Sequence, residues 1–167
     1  FAAAVIFPPD YFHPLLNDSK KLSEKKRKEL QPIIEQDALA FAVASVSAAE
    51  IDQINIHQAS YLAMHRALDQ LAVKAGFILV DGNKFIPYGD IPYACIVKGD
   101  GKYLSIAAAS ILAKTYRDSY MDNIAVDYPQ YDWLSNKGYP TIKHRTAVLA
   151  HGLTPHHRKT FKITEPQ

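Results

Sequence analysis

The sequence predicts an α/β fold, a mixed sheet flanked by helices. Two observations point there. Short apolar runs alternate with longer stretches of helical periodicity, the pattern that stacks helices on a sheet. The 167 residues are also 48% hydrophobic and 22% charged, a balance that supports a packed core and excludes a disordered chain. No apolar run approaches the roughly 18–20 residues of a membrane span. A lone cysteine, Cys95, excludes an intrachain disulfide framework and a cysteine-rich zinc module. A reducing, cytoplasmic setting is expected.

FAAAVIF (1–7) is apolar throughout, hence a strand buried on both faces. It lacks a basic n-region and soon meets Pro8-Pro9, so it reads as a strand and not a signal peptide. Ser23-Glu24 opens a helix to about Gln36, with Ser as N-cap. Pro32 inside it is expected to kink or split it. ALAFAVASVS (38–47) is the second strand. Residues 48–75 carry Ile51, Ile54, Leu62, Leu68 and Leu71 near a 3.6-residue period, a helix. FILVDGN (77–83) and YACIVKGD (93–100) are strands, each ending in an Asp-Gly turn. The Ala/Ser-rich stretch 103–126 is the clearest helix, closed by Pro129, and a last helix is expected near 142–151. The boundary between the main domain (1–128) and a C-terminal extension (129–167) is set at that closure.

The net charge of +2 conceals two cationic segments. KKLSEKKRK (20–28) holds six basic residues and one acid. From Trp133 to Thr164 there is no Asp or Glu, while Lys137, Lys143, Arg145, Arg158, Lys159 and Lys162 sit there with four of the seven histidines. Such runs are either solvated helix faces or phosphate-facing patches. The histidine-rich tail lacks a zinc-motif context and reads as an exposed or phosphate-contacting surface.

Asp81 and Asp100 each end an apolar strand and precede a glycine, VDG and GDG. Ligands of open α/β sheets bind at the carboxyl ends of strands. If the two strands are neighbours, like charges share one sheet edge, which favours a hard divalent cation, Mg²⁺ or Mn²⁺. The alternative for each is an ordinary Asp-Gly turn. GDGK lacks the spacing of a phosphate-cradling loop, and no Gly-x-Ser-x-Gly elbow occurs. Lys114 and Asp118, four apart on one helix, can pair locally. Tyr139, in the turn GYPT between Lys137 and Lys143, can stack on a sugar or base, or simply pack the turn. From these residues alone, a metal-dependent phosphatase remains open.

LNDSKKLSEKKR (16–27), LVDGN (79–83), IVKGDGKYLSIAAASILAKTYRD (96–118), NKGYPTIKH (136–144) and TPHHRKTF (154–161) resemble ribonuclease HII, the bacterial type 2 ribonuclease H. The resemblance runs from residue 1 to about Phe161. It implies a ribonuclease H-like fold with a small helical C-terminal part, the extension at 129–167, that is substrate-binding. It also implies cleavage of the RNA strand of RNA–DNA hybrids, and of single ribonucleotides in duplex DNA, by two-metal hydrolysis with Mn²⁺ or Mg²⁺. Asp81 and Asp100 match two of four metal-binding carboxylates. Tyr139 matches a tyrosine that packs on the sugar and helps sense its 2′-hydroxyl. Asn17, Ser19, Lys20 and Lys21 match a backbone-phosphate contact, and Lys98 and Asp118 are expected to support the site. The implied partner is the nucleic-acid duplex, with no membrane, and the implied state is a monomer.

The family's Asp-Glu-Ala-Gly-Arg-Gly strand, which supplies the other two carboxylates and a ribose grip, precedes the segment matching FAAAVIF and is absent here. The resemblance thus implies a sequence that starts late relative to the natural protein, or a truncated one. Such a chain lacks one central strand and half of the carboxylates. A catalytically impaired RNA–DNA duplex binder is the alternative function.

Overall fold

The structure, a computed structural model, describes residues 1–16 and 22–162. Its contacts group the chain differently from the sequence boundary at 128/129. One compact unit joins Phe1–Ser45 with Ser60–Thr115, and the other joins Val46–Ala59 with Tyr116–Gln167.

In the first unit, β1 (Ala2–Ile6) pairs antiparallel with β2 (Ala40–Ala44), from Ala2 opposite Ala44 to Ile6 opposite Ala40. Alternate residues of β2 (Ala40, Ala42 and Ala44) are buried, the period-2 burial of a strand. Between them runs α1 (Glu24–Asp37), whose cap Ser23 accepts a hydrogen bond from the Lys26 N–H at 3.3 Å. Of the two expected outcomes, a kink or a split, Pro32 does not split this helix. A missing interior hydrogen bond costs about 3 kcal/mol, and Leu30 and Ile34, buried on either side of it, hold both halves in one helix.

β3 (Ile78–Asp81) and β4 (Tyr93–Ile96) form a parallel ladder, with Asp81 opposite Ile96. The strands thus fall into two two-stranded sheets, one antiparallel and one parallel. A cavity of about 780 Å³ is bordered by β1, β3, Met64, Leu68, Ile106 and Ala109.

The helix expected over 48–75 is α2 (Ala48–Asp69), and it is broken at Asn55 (φ 69°, ψ 165°). The side-chain oxygen of Asn55 accepts from the N–H groups of His57 and Gln58, at 3.0 and 3.2 Å, and so caps the second half. The apolar period does not register such a break, and the buried residues of the helix, Ala59, Ala63 and Ala67, all lie in its second half. The long helix α3 (Leu104–Asp127) buries Ala107, Ala108, Ile111 and Leu112 completely. Small side chains there permit close packing.

In the second unit, a 3₁₀ turn at Pro129–Tyr131 leads to α4 (Trp133–Asn136) and then α5 (Ile142–His151). Met121, Ile124, Ala125, Tyr131, Trp133, Ala147 and Val148 form its core. The histidine-rich tail is only in part the exposed surface expected of it: His151 is exposed, while His156 and His157 are half-buried. His144 is buried, and its ring stacks on that of His157 with centroids 5.3 Å apart. Tyr131 and Trp133 flank His157 at 5.0 and 5.2 Å. The Thr154 N–H and hydroxyl face His157 Nδ1 at 3.0 and 2.9 Å, which makes that nitrogen the acceptor. Aromatic packing thus outcompetes hydration for these rings.

Burial, then repulsion from His144 and His156, pushes His157 down from 6.5 to about 4. The unfolded chain therefore binds this proton near pH 6.5 and the native chain only near pH 4. Stability falls as pH drops through that window and levels off below it. Thermal melts at pH 7 and 4.5 check this. His157→Gln should shrink the drop in melting temperature between the two, whereas an equal drop would place the titration elsewhere.

Candidate active site

Asp81 is the last residue of β3, and its side chain stands exposed at the carboxyl end of the parallel ladder. Gly82 (φ 128°) turns the chain there while its N–H donates to the Ile96 carbonyl at 3.0 Å. Only glycine adopts that conformation cheaply. On the neighbouring strand the chain leaves β4 through Lys98, in the left-handed region (φ 56°), into a 3₁₀ turn at Gly99–Gly101. The Lys98 carbonyl accepts from Gly101 N–H at 3.4 Å, and the Gly99 carbonyl from Lys102 and Tyr103, both at 2.9 Å. Lys98 therefore serves the turn through its backbone, with its side chain exposed.

The two aspartate loops are joined by one hydrogen bond: Gly99 N–H donates to Asp81 Oδ1 at 2.9 Å. Asp100, the next residue, is 3% exposed and borders a second cavity of about 260 Å³ with His13, Leu16, Lys102 and Tyr103. A Cβ on Gly99 would lie 2.6 Å from Ile106 Cδ1 and 3.3 Å from Ile96 Cβ. The glycine is what lets this backbone approach Asp81.

The candidate donors are Asp81, the last residue of β3, and Asp100, in the 3₁₀ turn four residues beyond the end of the adjacent parallel strand β4. Hard oxygen donors suit Mg²⁺ or Mn²⁺. Among the described residues no group of three or more His, Cys, Asp or Glu side chains forms a metal cage. Two carboxylates fit an ion whose remaining positions are taken by water and phosphate, the usual Mg²⁺ arrangement.

The other expected site residues lie in the second unit or outside the described residues. Asn17, Ser19, Lys20 and Lys21 lie outside them. Asp118, in α3, is 2% exposed and sits 3.6 Å from Arg117 Nη1. Tyr139 is 57% exposed on a turn built by its neighbours. Asn136 accepts from Gly138 N–H with its Oδ1 and donates through Nδ2 to the Tyr131 carbonyl, both at 2.8 Å. Thr141 closes the turn and caps α5 by accepting from His144 N–H at 3.2 Å.

Three side chains that hold the turn and the tail carried no such expectation. Asn136 and Arg117 both sit inside quoted motifs, NKGYP and TYRD, but their partners are 20 or fewer residues away and unsignalled. Asp52 had no signal at all. Its carboxylate accepts from the N–H groups of Lys159 and Thr160 at 2.7 and 3.0 Å and from the Thr160 hydroxyl at 2.6 Å. That clasps the tail, and the Thr160 bonds hold the carboxyl below its ordinary range.

The ribonuclease HII family model matches residues 1–164. The chain belongs to the ribonuclease HII family. A ribonuclease HII of Parabacteroides distasonis is 63% identical over the whole chain and 84% of its own length. That of Bacteroides thetaiotaomicron is 61% identical over 98% of the chain and 82% of its own. Among solved structures, the ribonuclease H2 of Pyrococcus horikoshii OT3 superposes with a TM-score of 0.73 at 22% identity, over 89% of this chain and 78% of that one. The ribonuclease HII of Archaeoglobus fulgidus, solved in complex with PCNA, gives 0.69 at 21% identity, over 90% and 80%. These likenesses show the ribonuclease H-like α/β fold. Ribonuclease HII membership carries ribonuclease H-type endonuclease activity. No helix among the described residues is long and apolar enough to cross a membrane.

Overpacking at Gly99 should be felt at once. Gly99→Ala should lower stability by about 1–3 kcal/mol, read by denaturant titration. A neutral change would mean that Ile106 yields without cost.

Proposed function

We propose that this chain, acting in the cytoplasm, hydrolyses the RNA strand of RNA–DNA hybrids. It also incises at single ribonucleotides embedded in duplex DNA, leaving a 3′-hydroxyl and a 5′-phosphate. The observation that carries this reading is the placement of Asp81 at the carboxyl end of β3 and of Asp100 in the turn that follows the adjacent parallel strand β4, with Asp81 bonded to the N–H beside Asp100.

Two divalent ions, Mg²⁺ or Mn²⁺, would supply activation of water and neutralisation of charge on the leaving 3′-oxygen. Asp81 and Asp100 are their ligands within this chain, not general bases. The Gly99 N–H orients the Asp81 carboxylate, and the tight turn at Gly99–Gly101 fixes Asp100. The exposed ring of Tyr139 stacks against the sugar at the scissile position, and its hydroxyl faces a polar group there. The segment Asn17–Lys21 and the cations of the tail contact phosphates, which set register without reading sequence. Lys98 supports through its turn, and Asp118 through Arg117.

A duplex bearing one ribonucleotide, assayed for incision and for binding with Mg²⁺ or Mn²⁺, tests the proposal. Asp81→Asn and Asp100→Asn should each reduce incision by more than the roughly 10–100-fold cost of losing an outer-shell partner, with duplex affinity within about twofold. Retained incision would put the metal elsewhere. Folded wild-type protein that binds the duplex in either ion without incising it would favour a hybrid-duplex binder.

Tyr139→Ala should harm incision at a single ribonucleotide more than affinity for DNA-only duplex. A uniform loss of binding to both would make the tyrosine structural.

A further inference from the structure

Tyr139 rides on a turn with two consecutive left-handed residues, Lys137 (φ 47°) and Gly138 (φ 77°). The first is not glycine, and an L-residue pays about 1–2 kcal/mol for that conformation. Something outside the turn must hold it, and α3 supplies the holder. Arg117 Nη2 donates to the Lys137 carbonyl at 2.8 Å. The same guanidinium lies over the Tyr139 ring, 5.3 Å from its centroid. Its Nη1 is buried and faces the buried Asp118 carboxylate at 3.6 Å. A Cβ on Gly138 would come within 3.1 Å of Met121 Cε and 3.7 Å of Arg117 Nη2, so glycine is what lets the turn close on this helix.

We infer that Arg117, backed by Asp118, is a positioning residue that sets the pose of the Tyr139 ring and thereby the preference for a ribonucleotide. The inference rests on the reading of Tyr139 as the ribose contact. One planar group makes all three contacts, which the fixed fork of a guanidinium allows. A lysine ammonium could reach the carbonyl or the ring but could not span both. Asp118 acquires a role here too: a buried carboxylate beside Arg117 limits the directions in which the guanidinium can swing. The ring is thereby preorganised before substrate arrives, so little ordering remains at binding.

The test is a double-mutant cycle on duplex affinity. Dissociation constants are measured without added divalent ion, for two duplexes that differ only by one ribonucleotide. The proteins are wild type, Arg117→Lys, Arg117→Gln, Tyr139→Ala and the Arg117→Gln/Tyr139→Ala double variant. Melting temperatures confirm that each is folded. Arg117→Gln should cut the preference for the ribonucleotide duplex roughly five- to tenfold, the weight of one hydrogen bond or stacked contact. Affinity for the DNA-only duplex should stay within about twofold. Arg117→Lys, which keeps the charge, should leave the salt slope of binding unchanged and still lose part of the preference. In the Tyr139→Ala background, Arg117→Gln should change nothing further.

Equal effects of Arg117→Gln in both backgrounds, or a uniform loss on both duplexes, would overturn the inference and leave Arg117 as a plain staple. Full preference in Arg117→Lys and Arg117→Gln, with Tyr139→Ala impaired, would overturn it while sparing the reading of Tyr139. An unchanged preference in Tyr139→Ala, or none in the wild type, would remove that reading and the inference with it.

Discussion

A single hydrogen bond, from the Gly99 N–H to Asp81 Oδ1, ties together two loops that leave neighbouring parallel strands. Parallel pairing of β3 with β4 brings both carboxyl ends to one edge, and the absence of a side chain at Gly99 lets the backbone come near enough for the bond to form. The buried Asp100 follows directly, because the 3₁₀ turn begins at that same glycine. The bond helps to orient the Asp81 carboxylate, which the proposed metal ligation would require.

The second unit solves an analogous problem with different chemistry. Its exposed aromatic must be held without being buried. Asn136 and Arg117 each satisfy a backbone group of the turn, and Thr141 closes it against α5 by capping that helix, so polar contacts frame the exposed Tyr139. Behind the frame, Tyr131, Trp133, His144 and His157 fill the core with rings. Histidine there contributes as a neutral ring, at the cost of sensitivity to acid.

Charge shows how far a linear reading reaches. The run from Trp133 to Thr164 contains no acid, yet Lys137 pairs with Asp122 and Lys143 with Asp132, at 2.9 Å for the latter. In the first cationic segment, Lys26 pairs with Glu29 and Lys28 with Glu24, at 3.0 and 2.8 Å. These exposed helix pairs contribute only about 0.3–0.5 kcal/mol each. Their importance is electrostatic: part of each cationic patch is already neutralised before any phosphate arrives, leaving Arg158, Lys159 and Lys162 as the larger share of the tail's field.

The sequence by itself determined the order of strands and helices, because apolar period and turn residues are local properties: Ser23 opens α1 and Thr141 opens α5 where their hydroxyls can cap. It also marked Asp81, Asp100 and Tyr139 as chemistry-bearing residues through their turns and motifs. Only the tertiary structure decided what those residues touch. Asp81 meets Gly99 across 18 residues, Arg117 meets Lys137 across 20, and Asp52 meets Thr160 across 108. No local pattern encodes such pairs, since each depends on which strand edges and helix faces packing brings within hydrogen-bond reach. The continuity of α1 through Pro32 and the burial of His144 have the same origin: packing outweighs a local preference of one to a few kcal/mol.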